Sequence, residues 1–146
     1  MTETIRLYHL AEANGIPVLY LPLPECGSLC MPLAGGAGAV GMDLRWPSPA
    51  DERVHMAHEL GHCLTGSFYN RDAALELRQK LENRADRRAI ELLIPPADYA
   101  AALDEGCTEL WQLAERFCVT EDFARKAVCL YLHGNLSVES YAEACP

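Results

Sequence analysis

The sequence predicts an α+β fold: a small N-terminal β-sheet packed on a helical zincin-like core, with helix-turn-helix-like helices at the C-terminus. Three observations predict it. Short apolar runs punctuated by Pro and Gly are confined to residues 17–43, and capped segments of helical length fill the chain from Ser48 onward. The 146 residues contain no repeat, low-complexity tract or linker, so one domain is expected, with a core at 1–95 and a helical subregion at 96–146.

The elements follow in order. Thr2 to Asn14 reads as a helix, with Ile5, Tyr8 and Ala11 at helical spacing and Asn14-Gly15 as its stop. Strands are expected at Val18–Leu21, Ser28–Met31 and Ala39–Met42. Between the last two, Ala34-Gly35-Gly36-Ala37-Gly38 lacks the Lys-Ser/Thr of a phosphate loop and reads as a hairpin turn. Ser48, Pro49 and Asp51 are the N-cap, first position and acidic third position of a helix that stops at Gly66. Val54, Ala57, Gly61 and Leu64 form its expected packing stripe, and Gly61, without a Cβ, allows a neighbouring element to come close. Asp72 to Ile94 is the strongest helical segment and ends at Pro95-Pro96; shorter helices are expected at 97–103, 109–117 and 121–132, with Gly134 as the final stop.

Half of the residues are hydrophobic and 23% are charged, ordinary globular composition that can bury a core without disulfides. A net charge of −9 works against phosphate binding, which depends on Lys and Arg releasing counterions. The first residues lack a signal-peptide layout and no apolar run approaches a membrane span, so a cytoplasmic protein without membrane association is expected. Seven cysteines are scattered without a C-x-x-C pair, and Cys26 and Cys30, with three residues between them in a Gly-containing segment, are a weak metal pattern.

The chemistry is concentrated at His58-Glu59-Leu60-Gly61-His62. On a helix, His58 and His62 lie one turn apart on one face, the spacing at which two imidazoles bind one zinc ion. Glu59 then sits beside the metal, placed to take a proton from water that zinc has acidified and to pass it to the leaving amine. A catalytic zinc commonly takes three protein ligands. After His62 nineteen residues intervene before Glu82, the candidate third ligand, and one helical turn further is Asp86, positioned to accept the free ring N–H of a ligating histidine. The competing reading makes both part of a solvated face with Arg78, Arg84, Arg87 and Arg88.

This H-E-x-x-H, nineteen-residue interval and E-x-x-x-D resemble the thermolysin-type gluzincins. More closely, Ala57 to His62, Glu82-Asn83-Arg84-Ala85-Asp86 and Leu92-Leu93-Ile94-Pro95 resemble the ImmA/IrrE family of small intracellular metallopeptidases, with Ile94 in place of the usual Met. The resemblance runs over roughly residues 2–132 and is strongest at 51–95. It implies that Glu82 is the third zinc ligand and that the substrate is a protein, often a transcriptional repressor of phage or mobile elements. Residues 113–126 also look like a helix-turn-helix, as in many members of that family. From Cys107 onward Arg116, Arg125 and Lys126 face six carboxylates, including Glu139 and Glu143, which favours packing or repressor docking over DNA contact.

Tyr69 and Arg71, just past the motif helix, and Tyr99 are candidate oxyanion stabilisers. His55 competes poorly as a ligand, and His9 and His133 have no partner in sequence. The functional expectation is a zinc endopeptidase acting on a regulatory protein, with the substrate strand added along Ala39–Asp43. The alternative is a non-catalytic zinc-containing regulator that binds a protein or DNA through its C-terminal helices.

Overall fold

A computed structural model describes residues 3–134 and 136; Thr2, Cys145, Glu139 and Glu143, on which parts of the sequence reading fall, lie outside them. The described residues form six helices and one three-stranded sheet, an α+β arrangement as expected. They fall into two compact units, Met1–Ala89 and Ile90–Pro146.

The first unit holds α1 (Glu3–Ala13), β1 (Val18–Tyr20), β2 (Ser28–Met31), β3 (Ala39–Met42), α2 (Pro49–Thr65) and most of α3 (Leu75–Leu93). The glycine-rich segment after β2 turns the chain so that β3 runs antiparallel to β2, the expected hairpin. β1 pairs with β3 in parallel, giving the sheet order β1-β3-β2. β3 is therefore the central strand, buried along its whole length. This corrects the expectation that Ala39–Asp43 is an edge: its backbone is paired on both sides, and β2 and β1 form the margins.

Helix α2 starts where the caps dictate. The Asp51 amide donates to Ser48 Oγ at 3.2 Å, Pro49 opens the first turn, and Gly66 closes the helix in the left-handed region at φ 65°. It packs against β2, β3 and α1, with Met56, Ala57 and Leu60 fully buried. Its buried surface is wider than the expected stripe and is rotated from it. Met56, Leu60 and Cys63 are buried, whereas Val54 and Leu64 are only half-buried, because the helix is covered on several sides. Gly61 faces α3: a Cβ there would stand 2.3 Å from the Ala85 carbonyl oxygen, so only glycine permits this approach.

In the second unit, α4 (Pro96–Asp104), α5 (Leu110–Phe117) and α6 (Glu121–His133) follow the end of α3. α5 and α6 pack on each other around Leu113, Phe117, Phe123 and Leu130, forming the expected helix-turn-helix-like pair. The turn uses Cys118 at φ 51°, a left-handed non-glycine residue, and Thr120, whose Oγ1 accepts the Phe123 amide at 3.2 Å. Among the described residues no helix is long and apolar enough to cross a membrane.

Candidate active site

The site is built where α2 and α3 meet in the first unit. His58 and His62, one turn apart, bring their Nε2 atoms to 3.2 Å, and Glu82 of α3 reaches both, with 3.0 Å from Oε2 to His58 Nε2 and 3.3 Å from Oε1 to His62 Nε2. Two ligand atoms each about 2.0 Å from a tetrahedral zinc lie about 3.3 Å apart. The two imidazole nitrogens already stand at that spacing, each Glu82 oxygen reaches one of them, and one ligand atom from each residue lies within 4.8 Å of the others, so a small adjustment of the carboxylate closes one face of a zinc tetrahedron. Two imidazoles with a carboxylate are a zinc-type donor set. The fit is good.

The remaining ring nitrogens are fixed by what surrounds them. His58 Nδ1 meets Asp86 Oδ1 at 2.8 Å, and His62 Nδ1 meets the Ser67 carbonyl oxygen at 2.6 Å, so both Nδ1 positions donate and both Nε2 atoms point toward Glu82. Glu82 takes a hydrogen bond from a protonated Nε2; a metal would take the Nε2 lone pair in place of that proton. Of the residues in the alternative charged face, Arg84 and Arg87 are exposed whereas Asp86 is buried; Arg78, one turn before Glu82, lies on the Glu82 side of α3, its guanidinium 5.9 Å from the centre of the Tyr69 ring.

Electrostatics follows the same contacts. Burial works against a charged His58, but hydrogen bonds to Asp86 and Glu82 outweigh it and raise its pKa to about 10. Burial likewise works against the Glu82 carboxylate, and bonds from His58, His62 and Tyr69 overcome it and hold the group well below the usual carboxylate range. A cation bound here competes with the His58 proton.

Glu59, also buried, sits beside this triangle in a cavity of about 270 Å³, lined also by Leu29, Cys30, Phe68 and Tyr69. Its Oε1 accepts the Ser28 hydroxyl at 2.8 Å, and Ser28 Oγ in turn meets His55 Nδ1 at 2.8 Å. A hydroxyl has one proton to give, so His55 donates to Ser28 while Ser28 donates to Glu59. His55 rests on Trp46 with ring centroids 4.8 Å apart, and burial lowers its pKa. The sequence reading missed Ser28, because a lone serine in a strand carries no signal of what it bonds. The Cys30 thiol, whose pKa burial and then Glu59 raise, also faces the cavity.

Of the candidate oxyanion groups, Tyr69 lines the cavity and donates from its hydroxyl to Glu82 Oε1 at 2.6 Å, which with burial raises its pKa to about 12. Arg71 is exposed on the loop before α3, and Tyr99 stacks on Tyr131 in the second unit; neither lines the cavity.

The family model described as Peptidase_M78, IrrE N-terminal-like domain, matches residues 44–128, more than half of the chain. The chain belongs to this family. The match begins just before α2 and takes in the whole His58-Glu59-His62 helix, Glu82 and Asp86, all of α5 and the first part of α6. As an IrrE N-terminal-like domain it is of a metallopeptidase type, and the triangle above is where such a metal fits. No curated protein matches the sequence.

Proposed function

We propose that this chain is a zinc-dependent endopeptidase that cleaves an intracellular regulatory protein, a transcriptional repressor of phage or mobile-element type. The observation that carries the catalytic part is the triangle of His58, His62 and Glu82 with Glu59 beside it, open to a cavity. Zinc, when held by those three residues, supplies Lewis acidity that polarises a carbonyl and acidifies water.

Glu59 is the general base, then the general acid that returns the proton to the leaving amine. Ser28 holds one of its oxygens, so the carboxylate is oriented before substrate arrives. Asp86 and the Ser67 carbonyl keep each histidine in the tautomer that presents Nε2. Tyr69, its hydroxyl on Glu82 at the cavity wall, is the best-placed of the candidate oxyanion donors. β2 lies at the sheet margin and contributes Leu29 and Cys30 to the cavity, which supports docking of the substrate as an added strand along β2. The α5–α6 pair is the proposed docking element for the protein substrate; the acidic charge balance weighs against DNA.

Glu59→Gln tests the assignment. The variant should bind zinc like the wild type and lose cleavage of the repressor encoded nearest this gene, and a chelator should abolish wild-type cleavage. Full cleavage by a zinc-loaded Glu59→Gln variant would refute the mechanism.

A further inference from the structure

We propose that Cys30, Glu59 and His62 form a second seat for the metal ion, sharing His62 with the first, and that an ion held there makes the enzyme latent. One ligand atom from each of the three lies within 4.8 Å of the other two, with Glu59 and His62 buried and Cys30 half-buried. Strand alternation explains how Cys30 arrives there. Residues 28 and 30 of β2 share a face, so the strand that offers Ser28 to Glu59 also offers Cys30 to the same cavity.

Thiolate, imidazole and carboxylate are all zinc ligands, with sulfur at about 2.3 Å and nitrogen at about 2.0 Å from the ion, which places a sulfur–nitrogen pair about 3.5 Å apart. Closing the second seat from within 4.8 Å takes side-chain adjustment of about 1 Å, without movement of a helix. Sulfur also makes this the softer seat, which favours zinc and other thiophilic cations over hard ones.

The two seats exclude each other. His62 Nδ1 is committed to the Ser67 carbonyl, so only Nε2 is open to a metal, and it serves one ion at a time. Passing to the second seat breaks the bonds to His58 and Glu82 and forms bonds to Cys30 sulfur and a Glu59 oxygen. The thiol proton leaves to solvent and nothing is oxidised or reduced. Glu59, now a ligand, has lost its role as base. That consequence rests on the peptidase reading; the existence of the seat does not.

The test is the absorption spectrum of the reduced full-length protein loaded with equimolar Co²⁺, where a thiolate-to-cobalt charge-transfer band in the near ultraviolet reports sulfur coordination whether or not the protein cleaves anything. The band is expected in the wild type and stronger in His58→Ala, which disables only the first seat. Glu82→Ala serves the same purpose should His58→Ala not fold. Cys30→Ser should lose the band while still binding cobalt through His58, His62 and Glu82. A wild-type spectrum without the band overturns the proposal, as does a band that survives Cys30→Ser. Loss of the band in both first-seat variants overturns it too, because sulfur would then be a fourth ligand of the first seat. If the band behaves as expected but Glu59→Gln cleaves like the wild type, the seat stands and the peptidase mechanism falls.

Discussion

Gly61→Ala adds one carbon at the contact that sets the distance between the two ligand-bearing helices. The new Cβ would lie 2.3 Å from the Ala85 carbonyl oxygen, 3.0 Å from its carbonyl carbon and 3.2 Å from its Cα, all rigid helix backbone. Ordinary contact needs about 3.5 Å, so α3 must retreat by about 1 Å. Helix propensity alone would make alanine better by about 1 kcal/mol, while overpacking costs about 1–3 kcal/mol, leaving a net loss of about 0–2 kcal/mol in the metal-free protein. The metal site should suffer far more. Glu82 and Asp86 lie on either side of Ala85 and move with it, whereas metal geometry tolerates only about 0.2 Å. Zinc affinity should therefore fall by at least the roughly 10–100-fold typical of a lost supporting bond. Competition titration with a chromophoric zinc chelator, beside thermal melting of the metal-free protein, measures both. Unchanged zinc affinity, or a metal-free variant more stable than wild type, refutes the claim that this contact positions the ligands.

Three further outcomes follow from the hydrogen bonds around the site. Asp86→Ala removes the acceptor of the His58 Nδ1 proton and should weaken zinc binding about 10–100-fold, read by the same titration; equal affinity would show that the bond does not orient His58. Ser28→Ala leaves Glu59 Oε1 and His55 Nδ1 without this shared partner, at a cost of about 1–3 kcal/mol in stability. It should lower kcat with little change in KM or zinc affinity, and Ser28→Thr should restore part of the loss; a change confined to KM contradicts the positioning role. The third concerns pH. Burial lowers the His55 pKa, so the unfolded chain binds more protons near the ordinary value of 6.5, and this residue's contribution makes stability fall as pH drops through that value. In His55→Gln that acid-side slope should flatten. An unfolding free-energy difference between wild type and variant that stays constant from about pH 5 to 8 would show that His55 is not the group involved.

Local signals in the sequence were enough for the helices. Ser48, Pro49 and Gly66 bound α2 because capping is chemistry of the chain's own neighbours, and the pairing of His58 with His62 and of Glu82 with Asp86 follows from one turn of helix. The role of Gly61 was legible for the same reason: a glycine inside a well-formed helix calls for a close neighbour, although not which one. What stayed hidden depends on long-range pairing. Strand order is not written in a three-strand sequence, so β3 read as an edge although the parallel pairing with β1 places it in the centre. Ser28 and Cys30 come to Glu59 across an interval of about thirty residues, and neither serine nor cysteine in a strand states its partner. The long helix begins at Leu75 rather than Asp72, because Arg71 to Ala74 are spent on a turn that propensity alone does not mark.

The contact between Gly61 and Ala85 also bears on what the nineteen-residue interval between His62 and Glu82 means. The interval is the sum of the end of α2, a loop and the first two turns of α3, while the register of the ligands is set by the two helices touching directly. Part of the loop belongs to the site, since the Ser67 carbonyl holds His62 and Tyr69 holds Glu82. Residues 70–74 have no such duty, and loop closure costs little for each added residue. Chains that build the same centre are therefore free to vary in length there, and a search for them is better anchored on a small residue facing a small residue between the two ligand helices than on a fixed count.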